Sequence, residues 1–208
     1  MQKPMTQSLW RAPEPLVLAS ASAGRQHVLR AAAIPFEAVP AGIDERAIEA
    51  GVASRDADDV ALTLARAKAA SVAADAPRRY VLGADQVASC GDRLFGKPAT
   101  MPAAADLLRF LSGRRHRLHS AIVLLRDGVP LLETVVHAEM VMRPLGESFI
   151  ARYLEIIGER ALVSAGTYQV EGVGAHLFSA VIGDHWTIMG LPLMPLLECL
   201  RAEGALDA

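Results

Sequence analysis

A short run of small residues, Ser20-Ala21-Ser22-Ala23-Gly24-Arg25, follows the apolar stretch Leu16-Val17-Leu18-Ala19 and precedes a helical pattern. A strand that ends in small residues and gives way to a helix presents backbone N–H groups and a positive helix end to an anion. Arg25 adds a fork of donors suited to phosphate. A plain strand-to-helix turn with serine caps uses the same residues, so both readings stand. A second feature is Asp85, placed directly after the apolar run Tyr80-Val81-Leu82-Gly83-Ala84. Ligands of open α/β sheets gather at the carboxyl ends of strands. A structural aspartate satisfied by neighbouring N–H groups is the competing reading. Lys68, in an alanine-rich helix, reads by itself as a solvated surface charge. Asp44-Glu45 is either a helix start or an acidic pair. Taken together, two carboxylate centres and three cations (Arg25, Lys68, Lys97) suit a metal-bound polyphosphate, with oxygen ligands on the metal and cations on the phosphates.

Two louder patterns carry less. Gly91 to Lys97 has the spacing of a phosphate-binding P-loop, but Pro98 stands where the metal-binding hydroxyl belongs. Proline also biases Lys97 away from helical backbone. His116 and His119 look like a metal pair, yet an odd offset on a strand puts them on opposite faces. A surface or turn position is expected for both.

The elements that must position these residues follow from local patterns. Strands are expected at 16–20, 36–40, 80–84, 116–126 and 129–142, the last two joined by the hairpin signal Asp127-Gly128. Helices are expected at 25–33, from Asp44 to 52, from Asp58 or Asp59 to 74, at 101–111 behind Thr100, at 148–157, and after Pro192. The Gly-rich stretch 162–189 reads as strand-like. Interleaved strands and helices with a hairpin give an α/β class with a mixed sheet. Residues 1–15 read as a flexible lead-in, and 16–208 as a single domain.

Composition narrows the rest. The chain has 208 residues, 21 basic and 23 acidic, with a net charge of −2 and 52% hydrophobic residues. That excludes disorder as the main state and argues against a basic nucleic-acid-binding surface. Apolar runs are too short to span a membrane. The two cysteines make no disulfide framework. The expectation is a soluble cytoplasmic protein without nucleic-acid or membrane partners.

From Leu16 to Leu200 the chain resembles the Maf family of nucleoside triphosphate pyrophosphatases. The matching segments, in order, are Leu18-Ala19-Ser20-Ala21-Ser22 with Arg25, Ile43-Asp44-Glu45, Leu64 to Ala69 around Lys68, Gly83-Ala84-Asp85-Gln86-Val87, and Gly96-Lys97-Pro98. Ser112-Gly113, Ala165-Gly166, Glu171-Gly172 and Gly190-Leu191-Pro192-Leu193 complete the series. The family's proline is Ala23 here, the first of its two arginines is Gly24, and Ser120 stands where threonine is common. The resemblance implies a mixed twisted sheet flanked by helices, in two lobes with a central cleft, as in inosine triphosphatases. It implies a homodimer dependent on Mg²⁺ or Mn²⁺ that splits a nucleoside triphosphate into the monophosphate and pyrophosphate, and so cleanses the nucleotide pool.

By the same resemblance Asp85 is catalytic with Lys68 and Lys97, and Glu45 joins Asp85 as metal ligand with Asp44 in reserve. Ser20, Ser22 and Arg25 bind substrate, while Gly24, Gln86 and Glu171 track the base. Gly, Gln and Glu at those three places resemble the members that act on 7-methyl-GTP. A dTTP- or UTP-preferring enzyme is one alternative. A nucleotide-binding regulator of septum formation with weak catalysis is the other.

Overall fold

A computed structural model describes residues 8–54 and 56–207. Seven strands form one mixed sheet: β1 (Leu16–Leu18), β2 (Phe36–Ala38), β3 (Tyr80–Cys90), β4 (Arg93–Phe95), β5 (Arg115–Arg126), β6 (Val129–Met142) and β7 (Phe178–Ile182). Their order is β2-β1-β3-β5-β6-β7, with β4 on β3. β1 runs parallel to both β2 and β3, whereas β3/β4 and β6/β7 are antiparallel. The helices are α1 (Ala23–Ala31), α2 (Glu45–Gly51), α3 (Ala57–Ala73), α4 (Met101–Leu111), α5 (Glu147–Ile157), α6 (His185–Ile188) and α7 (Leu193–Ala202). Among the described residues, no helix is long and apolar enough to cross a membrane.

Local chemistry sets most boundaries. Asp44 caps α2 through Ala47 N–H, and Thr100 caps α4 through Ala103 N–H, with Pro102 in the first turn. Asp127 and Gly128 both take positive φ between β5 and β6, the backbone of a tight hairpin turn.

The chain forms two compact units. One comprises the chain up to Asp85, Ser120–Val136 and Met189 onward; the other comprises Gln86–His119 and His137–Ile188. In the first, α3 turns Ala61, Leu64, Ala65, Lys68 and Ala69 inward at helical spacing. The alanines let the helix lie close on β3 at Gly83. A Cβ on Gly83 would fall 2.2 Å from Ala65 O and 2.7 Å from Ala69 N. The expected lead-in lies partly in residues 1–7, outside the described residues. Its described part is packed: Trp10 is buried, and Arg11 N–H donates to Ala205 O.

In the second unit, α4 and α5 bury Leu108, Leu111, Ile150 and Tyr153 against Leu118, Met140 and Met142. Two expectations fail here. The stretch 162–189 is mainly short 3₁₀ turns around one strand, β7. Gly166 and Thr167 take positive φ, which a strand does not admit. His116 and His119 are buried rather than on the surface. His116 Nε2 lies 2.6 Å from Tyr168 Oη, and His119 Nε2 lies 2.8 Å from Ser89 Oγ. Hydroxyl partners make burial of both rings tolerable.

His116 Nε2 shares one hydrogen bond with Tyr168 Oη, and Nδ1 is buried without a hydrogen-bond partner. In the charged form, a proton at Nδ1 meets no acceptor. Burial therefore holds the His116 pKa down to about 4.

Two outcomes follow from this packing. Gly83→Ala forces α3 off backbone atoms, so denaturant titration should show a loss of at least about 2 kcal/mol. For His116, the unfolded chain takes up a proton near pH 6.5 while the folded chain resists it to about 4. Stability present above pH 6.5 is lost as pH falls towards 4, about 2–3 kcal/mol between pH 7 and 4.5. His116→Gln should remove that part of the pH dependence, and unfolding curves of both proteins across this range check it.

Candidate active site

Parallel pairing of β1 and β3 brings the first chemical groups together. Leu18 lies opposite Leu82, so Ser20 and Asp85 follow two and three residues beyond the same rung, Ser20 past the end of β1 and Asp85 inside β3, which continues to Cys90 rather than ending at Ala84. α1 follows β1. Ser22 is its N-cap and accepts from Arg25 N–H, and Ser22 N–H donates to Ser20 Oγ. Arg25, on the buried side of α1, donates from Nε to Gly190 O at 2.9 Å and from Nη1 to Ser20 Oγ at 3.1 Å. Both acceptors are neutral. Burial lowers the Arg25 pKa, while the charges of Asp85 and Glu45 act to raise it. A buried guanidinium with neutral partners is a strong anion attractor.

Lys68 reaches the same place from α3. Its ammonium lies 2.6 Å from Asp85 Oδ1 and 2.9 Å from Glu45 Oε1. Lys68 and Asp85 are each only 6% exposed, whereas the Glu45 side chain is 55% exposed. Glu45 is the first residue of α2, and Asp44 spends its carboxylate capping that helix. One buried cation is thus held by a buried and an exposed carboxylate from different elements. Burial of this kind demands paired charges, because an unpaired ion away from water costs several kcal/mol. The solvated reading of Lys68 fails: the ammonium is buried and paired. Ser22 has the capping role that its bland reading gave it.

The first unit therefore holds Ser20, Ser22, Gly24, Arg25, Glu45, Lys68 and Asp85 around the end of β1 and the middle of β3. Gly24 is in the first turn of α1, where a Cβ would lie 3.3 Å from Met189 O. The remaining predicted residues belong to the second unit. Lys97 is exposed just after β4, and Glu171 is exposed in the turns before β7. The segment Gly91–Lys97 is a turn and a strand rather than a loop entering a helix, so it is no P-loop. The second unit also carries an open concavity of about 410 Å³, lined by Val170, Phe178, Val181, His185 and Ile188 among others.

Gln86 is half-buried, and its Nε2 donates to Thr187 O at 3.0 Å and Ile188 O at 3.2 Å. Thr187 in turn is held by Asp184, through N–H to Oδ1 at 2.8 Å and Oγ1 to Oδ2 at 2.6 Å. Sequence reasoning missed Asp184, Thr187 and the carbonyl of Gly190. Asp184 and Thr187 carried only an ordinary cap signal, an aspartate three residues before a threonine. A backbone carbonyl carries none.

A nucleoside triphosphate pyrophosphatase of Rhodopseudomonas palustris is 52% identical over 199 residues, covering 96% of this chain and 98% of that protein. A 7-methyl-GTP pyrophosphatase of Rhizobium etli is 54% identical over 194 residues, covering 92% and 98%. Among solved structures, a HAM1 protein from Coxiella burnetii covers 62% of this chain and 72% of its own, with 19% identity and a TM-score of 0.39. The profile of Maf-like proteins matches residues 15–203, and with relatives this similar over nearly its whole length the chain belongs to the Maf family.

Proposed function

We propose that the protein is a nucleoside triphosphate pyrophosphatase that prefers 7-methyl-GTP. Water attacks the α-phosphorus, the bond from that phosphorus to the αβ-bridging oxygen breaks, and pyrophosphate leaves. The observation that carries the reading is the buried Lys68 ammonium between Asp85 and Glu45, in the unit that also holds Arg25. The relatives named for this activity support it.

In this reading Asp85 takes the proton of the attacking water. Lys68 fixes Asp85 Oδ1, so Oδ2 is the accepting oxygen, held in one orientation before substrate arrives. Arg25 has five N–H donors, and those not spent on Gly190 and Ser20 serve the triphosphate. Lys97 supplies a further cation to offset charge on the departing pyrophosphate. Ser20 and Ser22 shape the start of α1 for the same anion. Glu45 and Asp85 are hard oxygen donors that already share one cation, Lys68, and this donor set fits Mg²⁺ or Mn²⁺. A divalent ion held by these two residues supplies Lewis-acid polarisation of the phosphoryl oxygens. The resemblance also supports a cytoplasmic homodimer as the working form.

Base preference rests on Gly24, Gln86 and Glu171. A 7-methylguanine ring carries positive charge and presents N–H donors, which a carboxylate at Glu171 accepts as charge-assisted bonds. A pyrimidine turns a carbonyl towards it instead and leaves the carboxylate poorly paired, at a cost of about 1–3 kcal/mol.

Asp85→Asn keeps the shape of the side chain and leaves Lys68 paired with Glu45. It should fold and lose about 10²–10⁴-fold in turnover, the usual scale of a general base. Pyrophosphate release, with melting temperature as the control for folding, measures it; near wild-type turnover would remove Asp85 from the mechanism. Across a triphosphate panel with Mg²⁺ or Mn²⁺, 7-methyl-GTP should exceed dTTP and UTP in kcat/KM by about tenfold or more. Glu171→Gln should narrow that gap. Faster turnover of the unmodified pyrimidine nucleotides would overturn the base assignment, and binding without turnover would overturn the enzyme.

A further inference from the structure

We infer that Arg93 and Arg114, stacked on the ring of Phe110, form a surface site for a phosphate dianion in the second unit. None of the three residues is assigned to the substrate. The guanidinium carbons of Arg93 and Arg114 lie 4.2 Å and 4.6 Å from the Phe110 ring centroid. The negative face of an aromatic ring holds a guanidinium in place. Two guanidinium groups on one ring bring like charges close together, and an anion beside them relieves the repulsion.

Local structure fixes all three residues. Phe110 belongs to α4, and its half-buried side chain packs on the apolar cluster of the second unit. Gly113, at φ +70°, turns the chain after the helix. Arg114 follows, with its N–H donating to Leu111 O and its carbonyl accepting from Met142 N–H, both at 3.0 Å. Arg93 opens β4 and pairs with Cys90. The stretch Gly91–Lys97, which has P-loop spacing without the P-loop fold, thus delivers an arginine to an aromatic platform.

Hydrogen bonding sets these two arginines apart. Arg109, Arg115, Arg143, Arg152 and Arg160 of the same unit each donate to a carboxylate or carbonyl oxygen. The side chains of Arg93 and Arg114 donate to no oxygen among the described residues, and the ring is their contact. Both are exposed, so the five N–H donors of each guanidinium remain for a ligand. A guanidinium fork matches a pair of oxygens on phosphate or carboxylate. A carboxylate brings one charge and two oxygens, enough for one fork. A phosphate carries about −1.5 to −2 at pH 7 with three or more acceptor oxygens, which serves both. Free inorganic phosphate and the end of a phosphomonoester share this chemistry.

Arginine Nε–H signals in a ¹H–¹⁵N spectrum of the full-length protein, assigned with Arg93→Gln and Arg114→Gln, test the site. Inorganic phosphate at constant ionic strength should shift the Arg93 and Arg114 signals together, with one common half-saturation. Chloride in its place should leave them still, and so should phosphate for Arg109, which Asp106 and Glu147 already hold. Either glutamine variant should weaken binding at the remaining arginine about tenfold, the scale of a lost charge-assisted hydrogen bond. Phe110→Leu keeps both charges but removes the platform, and should weaken binding about threefold or more. Phenyl phosphate should bind the same pair, less tightly as pH falls through about 6, where a monoester loses its second charge. Tighter binding of phenyl phosphate names a monoester as the ligand, and tighter binding of inorganic phosphate names the free ion. Signals that stay still in phosphate, or that move equally in chloride, overturn the inference. So does unchanged phosphate affinity in Phe110→Leu; should that variant fail to fold, unchanged affinity in both glutamine variants overturns it equally. The titration uses no turnover, so a protein inactive on every triphosphate removes the function reading and leaves this one standing.

Discussion

A lysine ammonium buried between two carboxylates constrains everything around it. Removing one partner of such a pair leaves a charge away from water, a penalty of about 3–5 kcal/mol. The neighbouring elements must therefore hold the geometry. Lys68 reaches Asp85 only because α3 lies against β3 at backbone contact distance, and that contact requires Gly83 on the strand and Ala65 and Ala69 on the helix. The stripe of small residues is thus part of the site, although none of them touches its chemistry. It also explains how a lysine stays inside: its stem runs along buried alanines and its charge ends between Asp85 and Glu45.

The same unit holds a second buried cation, Arg25, whose direct partners are a carbonyl and a hydroxyl. Two cations and two carboxylates leave the first unit's site near neutrality without substrate. A triphosphate would bring excess negative charge to that balance, which a divalent cation would offset in part. An overall charge of −2 is no obstacle to such a ligand, because field strength at a buried site depends on a few nearby groups in low dielectric.

What was legible in the sequence was what short-range chemistry decides. Asp44, Thr100, Pro102 and Asp127-Gly128 act within four residues, and the structure uses each as a cap or turn. The end of β1 before Ser20 was legible too, but β3 runs through Asp85 to Cys90, so the strand end expected after Ala84 is not there. Lys68 was not. A lysine among alanines looks the same whether the helix faces water or a strand, and Gly83 shows the difference only once the two are side by side. The stretch 162–189 failed for a related reason. Its apolar residues alternate well enough for a strand, but Gly166, Thr167 and Gly183 take backbone angles that stop one. His116 and His119 were expected outside because an odd offset on a strand puts them on opposite faces and no metal pair results. Their partners, Tyr168 and Ser89, lie 52 and 30 residues away.

Gly24 shows how a departure from a family pattern becomes physical. The family resemblance leads one to expect two consecutive arginines here, and this chain has Gly24 followed by Arg25. The missing side chain would start in a confined place, since a Cβ on Gly24 would come within 3.3 Å of Met189 O. That separation is tighter than ordinary packing but close enough to be relieved by a shift of a few tenths of an ångström. The next carbonyl, Gly190 O, is the one that receives Arg25 Nε. An arginine at position 24 would therefore press on the peptide beside the one that holds Arg25. With glycine there, Met189 and Gly190 settle against the first turn of α1, and the single remaining guanidinium is fixed by Gly190 O and Ser20 Oγ.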